Sequence, residues 1–417
     1  MKRSRLFLAL AAVAVVALAD VEAQSTFNAT AGSQQTRRPR HRTRPPPVVV
    51  PKSTADFGDP IPGLTASQLA DFAEGEDDFE EEDTAESGLG PIFNNVSCVA
   101  CHSVPATGGS SAITVTRFGH TANGVFDPMD SQGGSLLQQN AIDPAVQEVV
   151  PPTANVTAKR LTTPLFGAGL IEAIPDAQIL ANAGPQGNGI SGRVSVVSDV
   201  ASGHTRVGRF GWKAQQATLL SFAGDAYVNE IGVTSRLFPK ENAPDGNVAL
   251  LAQYDLVADP EDQVDPATGK ADIDHFADFM RLLAPPKPIA LTPRARAGRQ
   301  LFSDVGCDGC HISTMTTGPS PIAMLDHKLV PLFSDLLLHD MGSLGDGIGQ
   351  GTAGPSEMKT APLWGLRVRV AFLHDGRAAT PDAAIRMHDG EAARVRDRYQ
   401  RLTANEQQAL LEFLRSI

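Results

Sequence analysis

The apolar positions of this chain fall into short groups separated by strong stop and start signals. Thr65-Ala66-Ser67-Gln68 has the form of a capping box, and Leu69 and Phe72 follow it on one helical face. From Val104 to Gly208 no helical period is sustained. Gly, Pro, Ser and Thr break the apolar residues into runs such as 113–115 and 194–197, which predict short strands or loops rather than long helices. Residues 214–227 permit a helix, with Leu219, Leu220 and Phe222 apolar. Residues 271–283 read as an amphipathic helix ended by Pro285 and Pro286, and a domain boundary is placed there. Thr292 and Pro293 then form an N-cap and N1 pair, opening a helix that carries Leu301 and Phe302. Thr380 and Pro381 repeat that start signal, and their helix is expected to carry Met387 and His388. A second capping box, Thr403 to Glu406, opens a terminal helix whose Leu410, Leu411, Phe413, Leu414 and Ile417 form a packing face.

Composition changes this picture mainly at the start of the chain. Lys2, Arg3 and Arg5 precede an apolar run from Leu6 to Leu18, and Val21-Glu22-Ala23 offers a small-x-small cleavage site. This is the pattern of a secretory signal peptide over residues 1–23. The run is too short for a permanent membrane span, although a retained anchor is the competing reading. Removing that segment takes away three basic and two acidic residues and moves the formal net charge from −12 to −13. An acidic chain with no basic face is a poor nucleic-acid binder. Residues 24–60 hold Arg37, Arg38, Arg40, Arg42 and Arg44 ahead of three prolines, and read as an extended basic tether. The acidic run 74–83 reads as a solvated loop, or as a docking patch for a basic electron-donor protein.

All four cysteines lie in two Cys-x-x-Cys-His runs, Cys98 to His102 and Cys307 to His311. This is the attachment signature of c-type haem. Two thiols two residues apart on one turn reach the two vinyl groups of one porphyrin, and the next histidine is held beneath the ring to bind iron. A four-cysteine zinc site wants its pairs closer in sequence and leaves both histidines idle. A thioredoxin-like pair needs no following histidine, and a disulfide across two residues would be strained. Two covalently bound haems are therefore expected, with His102 and His311 as proximal ligands. Export fits, because c-type haem is attached outside the bacterial cytoplasm.

Other stretches resemble a known family. Gly88-Leu89-Gly90-Pro91, Thr163 to Glu172, Gly208-Arg209-Phe210-Gly211-Trp212-Lys213-Ala214-Gln215, Ser334 to Gly342 and His388-Asp389-Gly390-Glu391-Ala392 are similar to the di-haem oxidoreductases described as putative peroxidases, sometimes labelled thiol oxidoreductases. Ala371-Phe372-Leu373-His374-Asp375-Gly376-Arg377 resembles the bacterial di-haem cytochrome c peroxidases. The likeness spans about residues 88–417. It implies a mainly α fold with two cytochrome c-like haem domains, residues 61–286 and 287–417, with long loops and a few short strands in the first. It also implies electron entry at the C-terminal haem and reduction of peroxide or a similar small oxidant at the N-terminal one.

The resemblance nominates further residues. The peroxidases ligate the C-terminal haem from the helix after the His-Asp-Gly run, and the matching position is His388. Met387, Met341 and His339 are the other candidates; only one of Met387 and His388 can face the iron, because neighbours on a helix point about 100° apart. Trp212 matches a tryptophan between the haems, with Trp364 as a second candidate and a buried core role as the plain alternative. Glu230, eighteen residues on, matches a carboxylate that moves the proton in peroxide cleavage; an ion-paired or capping carboxylate is its alternative. Lys213 and Ala214 depart from the Asp and Gly of that motif. His120 lies near the spacing of a histidine that blocks the resting site, and is otherwise a loop residue. Arg369 and Ala371 stand where the peroxidases place calcium-holding Thr and Pro, which speaks against a calcium site. The expected partners are a small soluble donor cytochrome or cupredoxin and a small-molecule oxidant, with no nucleic acid and no permanent membrane span. The rivals are an electron carrier with two six-coordinate haems and a redox maturation enzyme acting on a partner protein. No cysteine stays free once both haems are attached, so thiol chemistry by the protein itself is not expected.

Overall fold

The computed structural model describes residues 55–417; the expected signal peptide and nearly all of the basic tether lie outside these residues. The start signals operate as their chemistry predicts. Thr65 Oγ1 accepts from the Gln68 amide at 3.3 Å while the Thr65 amide donates to Gln68 Oε1 at 2.9 Å, closing the box that opens helix Ala66–Glu80. Thr292 caps helix Pro293–Val305 through the Ala295 amide, and Thr403 caps helix Ala404–Leu414 through the Glu406 amide. The amphipathic helix Asp272–Leu282 also forms where expected.

The expectation of a mainly α protein is overturned. The described residues contain ten α-helices, most of them short, and fourteen strands in six small antiparallel sheets. Nor are strands confined to the N-terminal part: Met315–Thr316, Leu329–Val330, Leu338–Asp340 and Glu357–Lys359 all lie beyond Pro286. The physical reason is the Gly/Pro punctuation. Segments too short and too broken to hydrogen-bond internally as helices satisfy their amides by pairing with other segments. The largest sheet is built on Thr114–Ala122, which pairs with Val125–Asp127, Leu136–Leu137 and Val156–Leu161.

Two smaller expectations are also corrected. The helix opened by Thr380 ends at Arg386, so Met387 is its C-cap and His388 lies just outside it. Residues 74–80 of the acidic run occupy the last turns of helix Ala66–Glu80 rather than a loop; Asp78 pairs there with the buried His275.

Two apolar clusters organise the chain. The larger packs Phe72 and Phe79 against Ile273, Phe276 and Phe279, and takes in Leu219, Leu332, Leu337 and Trp364. Gly75 lets helices Ala66–Glu80 and Asp272–Leu282 touch: a Cβ there would lie 2.3 Å from the His275 carbonyl. The second cluster joins Phe302, Val305, Phe333, Tyr399, Leu410 and Phe413. Gly298 has the matching role, since a Cβ would meet the Ala409 carbonyl at 1.9 Å. No described helix is long and apolar enough to cross a membrane.

Candidate active site

The second Cys-x-x-Cys-His run is placed by helix Pro293–Val305. The helix ends at Gly306, whose φ of +97° is a left-handed cap that turns the chain back on itself. Cys307–Gly309 then forms one 3-10 turn, and the His311 amide donates to the Cys307 carbonyl at 2.9 Å. That turn brings the imidazole beneath Phe302, with ring centroids 6.5 Å apart. His311 Nδ1 donates to the Phe333 carbonyl at 3.0 Å, which fixes the ring and leaves Nε2 for a metal. Burial pushes the His311 pKa down to about 4, so the ring is neutral at ordinary pH.

Cys307, Cys310 and His311 line one cavity, whose walls include Ile190, Leu363, Leu366 and Leu414. His388 enters the same cavity. Its Nδ1 donates to the Ala384 carbonyl at 2.8 Å, so this ring too has Nε2 left for a ligand, and burial lowers its pKa. Met387 is 40% exposed and does not line the cavity, whereas Met341 does. His339 also borders it, but both its nitrogens are engaged: Nε2 with Asp335 Oδ2 at 2.9 Å and Nδ1 with Glu391 Oε2 at 2.8 Å. Burial works against its charge, yet the hydrogen bonds to Asp335 and Cys310 prevail and raise it to about 11. A doubly anchored imidazolium supports the Cys310 turn and has no lone pair to give to a metal.

At the first run the amides of Cys101 and His102 both donate to the Cys98 carbonyl, at 3.2 and 3.1 Å, the same tight turn in a different sequence context. His102 Nδ1 donates to the Gly109 carbonyl at 3.1 Å, and Phe79 packs on its ring at 5.9 Å. Burial lowers this histidine to about 4 as well. All four cysteines are free thiols, and burial raises each of them. The two runs thus share a thiol pair on one turn and a buried imidazole held at Nδ1, and the second opens onto a largely apolar cavity that fits porphyrin.

Glu230 is brought to the first site. It sits in the single π-turn Tyr227–Ile231, where its carbonyl accepts from the amides of Asn94 and Asn95, just ahead of Cys98. Its Oε2 accepts from Asn94 Nδ2 at 2.7 Å, and Asn95 Nδ2 lies 3.9 Å from Cys101 Sγ. Burial raises the Glu230 pKa, against the nearby Arg117 charge and the Asn94 hydrogen bond.

Trp212 stands in the wall of the second cavity, edge-on to His374 with centroids 6.3 Å apart. Its indole Nε1 donates to the Leu161 carbonyl at 2.8 Å, and the Leu161 amide donates to the His374 carbonyl at 2.6 Å. Leu161 is followed by Thr162 and Thr163, which reach Cys101 and His102 of the first run. Trp364 is instead buried in the larger core, against Gly167. His120 ties its Nδ1 to the Thr153 carbonyl at 2.7 Å at the edge of the main sheet. Sequence reasoning missed His374 as a site residue; its position two residues before the Gly-Arg of the quoted motif was the available signal. It missed the ion cluster next to Trp212 altogether. Lys213 Nζ lies 2.9 Å from Asp346 Oδ1, and Arg160 lies 2.8 Å from Asp346 Oδ2, with all three side chains 0–5% exposed.

Similar proteins give the context. The family described as "Di-haem oxidoreductase, putative peroxidase" matches residues 140–417, so Glu230, Trp212 and the second run lie within the matched stretch and the first run lies ahead of it. No curated protein matches. Among solved structures, hydrazine synthase of Kuenenia stuttgartiensis, studied under xenon pressure, is 15% identical over 90% of this chain and 100% of that one, with a TM-score of 0.41. The diheme peroxidase BthA of Burkholderia thailandensis is 13% identical over 85% and 86%, at 0.38. A MauG-like protein associated with microbial copper homeostasis is 16% identical over 60% and 88%, at 0.30. With 278 of its 417 residues inside the family match, this chain belongs to the di-haem oxidoreductase family described as putative peroxidases.

Proposed function

We propose that the protein is an exported, periplasmic c-type member of this family that reduces peroxide or a similar small oxidant. One observation carries the reading. Each Cys-x-x-Cys-His turn ends in a neutral histidine tied at Nδ1 to a backbone carbonyl, and His388, held in the same way, shares the cavity of the second. The haems, attached through Cys98 and Cys101 and through Cys307 and Cys310, would supply the iron redox chemistry, with electrons entering at the C-terminal one and peroxide reduced at the N-terminal one. His311 and His388 would hold the C-terminal iron, and two imidazole ligands suit electron transfer. His102 would hold the N-terminal iron, where the oxidant would be reduced.

Glu230 is positioned to carry the proton. Splitting peroxide into two waters consumes two electrons and two protons, and one proton must move from the bound oxygen to the leaving oxygen. A buried carboxylate with a raised pKa can both take and return that proton. Trp212, fixed by its indole hydrogen bond and by contact with His374, lies in the wall towards the first run and is the residue we assign to electron passage. A small soluble cytochrome or cupredoxin would act as donor.

The test is low-temperature EPR of the half-reduced protein together with peroxide turnover using a reduced small cytochrome. A high-spin haem and turnover are expected. Two low-spin haems without turnover would replace this reading by that of an electron carrier.

A further inference from the structure

Arg369 follows the 3-10 turn Leu366–Val368 and lines two spaces at once. One is the cavity over Cys307, Cys310 and His311. The other is a narrow cleft with Val104, Ser110, Pro164 and Phe166, next to the first haem run. The other interior arginines have anionic partners: Arg160 has Asp346, Arg209 has Asp176, and Arg281 has Glu172 and Asp278. Arg117 has the charges of Glu230 and Asp225 nearby. Among the described residues, no carboxylate pairs with Arg369 and no protein group accepts a hydrogen bond from its guanidinium. Burial alone acts on it, pushing its pKa down to about 10 with no negative charge pushing back.

Arg369 is half-buried against the cavity it lines, and its guanidinium keeps its charge near neutral pH. With no carboxylate of the described residues beside it, this cation can take an anionic group of whatever fills the cavity. The guanidinium fork matches a carboxylate bidentately. A haem carries two propionate carboxylates on one edge, and Arg369 lines the cavity over Cys307, Cys310 and His311. We propose that Arg369 binds a propionate of the haem attached through Cys307 and Cys310 and holds that haem at a higher reduction potential than it would otherwise have. This rests on the di-haem reading above. The direction follows from charge: a nearby cation disfavours the extra positive charge of the oxidised iron, so removing it lowers the potential.

The experiment is a spectroelectrochemical titration of the haem-loaded protein as wild type, Arg369→Gln, Arg369→Lys and Arg367→Gln. Arg369→Gln should shift at least one haem to lower potential and make that potential vary with pH, as a freed propionate titrates. Arg369→Lys should retain part of the wild-type value. Arg367, whose guanidinium instead donates to the Lys287 and Ile417 carbonyls, should be silent. Wild-type potentials for both haems in Arg369→Gln would overturn the proposal. So would wild-type potentials that follow added phosphate, which would mean a free anion occupies the site. Should Arg369→Gln lose haem, resonance Raman of the wild type decides: the propionate bending mode should stay constant to about pH 3, and a change near about pH 4, the ordinary carboxylate range, would overturn the assignment. A pyridine haemochrome showing fewer than two haems in the wild type would instead defeat the underlying reading.

Discussion

Asp346 holds two buried cations, and replacing it by Asn isolates the contribution of its charge. Its side chain is 0% exposed, with Arg160 at 2.8 Å and Lys213 at 2.9 Å. Asn has the same shape and can keep the bond that Oδ1 accepts from the Ile348 amide at 3.0 Å, so packing should survive. The charge does not. Removing one partner of a buried ion pair typically costs about 3–5 kcal/mol, because the remaining charge stays desolvated. Lys213 retains the carbonyls of Gly354, Pro355 and Glu357, and Arg160 retains Gln350, so the lower end, about 3 kcal/mol, is expected. Urea unfolding of the haem-loaded protein at neutral pH measures it. The pH dependence adds a second check. Burial would raise the Asp346 pKa, but Arg160 and Lys213 prevail and it is lowered. A depressed folded pKa contributes stability that is fully present above the unfolded value of about 3.9 and is lost as pH falls through the folded value. The gap between wild type and Asp346→Asn should therefore be flat around neutrality and close below about pH 4. A loss under about 1 kcal/mol, with no closing of the gap in acid, would show that the two cations do not depend on this carboxylate.

Three other outcomes are expected. Glu230→Gln should lower peroxide turnover by about 10²- to 10⁴-fold; it should also abolish the loss of rate as pH drops through the raised Glu230 pKa, and a retained acid limb would clear Glu230 of the base role. His388→Met should raise the potential of the C-terminal haem and remove its bis-imidazole EPR signal, since a methionine ligand favours the reduced iron; unchanged spectra would point to Met341 instead. Phe302→Ala should cost about 3–5 kcal/mol, read by denaturant unfolding, because the ring is 4% exposed and packs on Phe333, Phe413 and His311.

The chemistry-bearing elements were legible because their signals are local. A capping box needs only Thr65 and Gln68, an N-cap and N1 pair only Thr292 and Pro293, and thioether attachment only two cysteines and a histidine on one turn. The reading failed where short segments exchange hydrogen bonds across the chain. The mainly α expectation fell because residues such as Glu357–Lys359 satisfy their backbone by pairing with Leu338–Asp340, a partner that no local pattern names. Helix Pro381–Arg386 likewise stopped before His388, yet that residue still reached the second cavity.

By itself, then, the sequence named the two Cys-x-x-Cys-His turns, the histidines that end them and where several helices begin, since each of these is decided within a few bonds along the chain. Only the tertiary structure decided that His388 shares the cavity of His311 while Met387 turns outward, that both nitrogens of His339 are taken, and that Lys213 and Arg160 meet on Asp346 beside Trp212. Those choices depend on burial and charge pairing between residues as many as 186 positions apart, and the free energy that settles them exists only once the chain has closed around them.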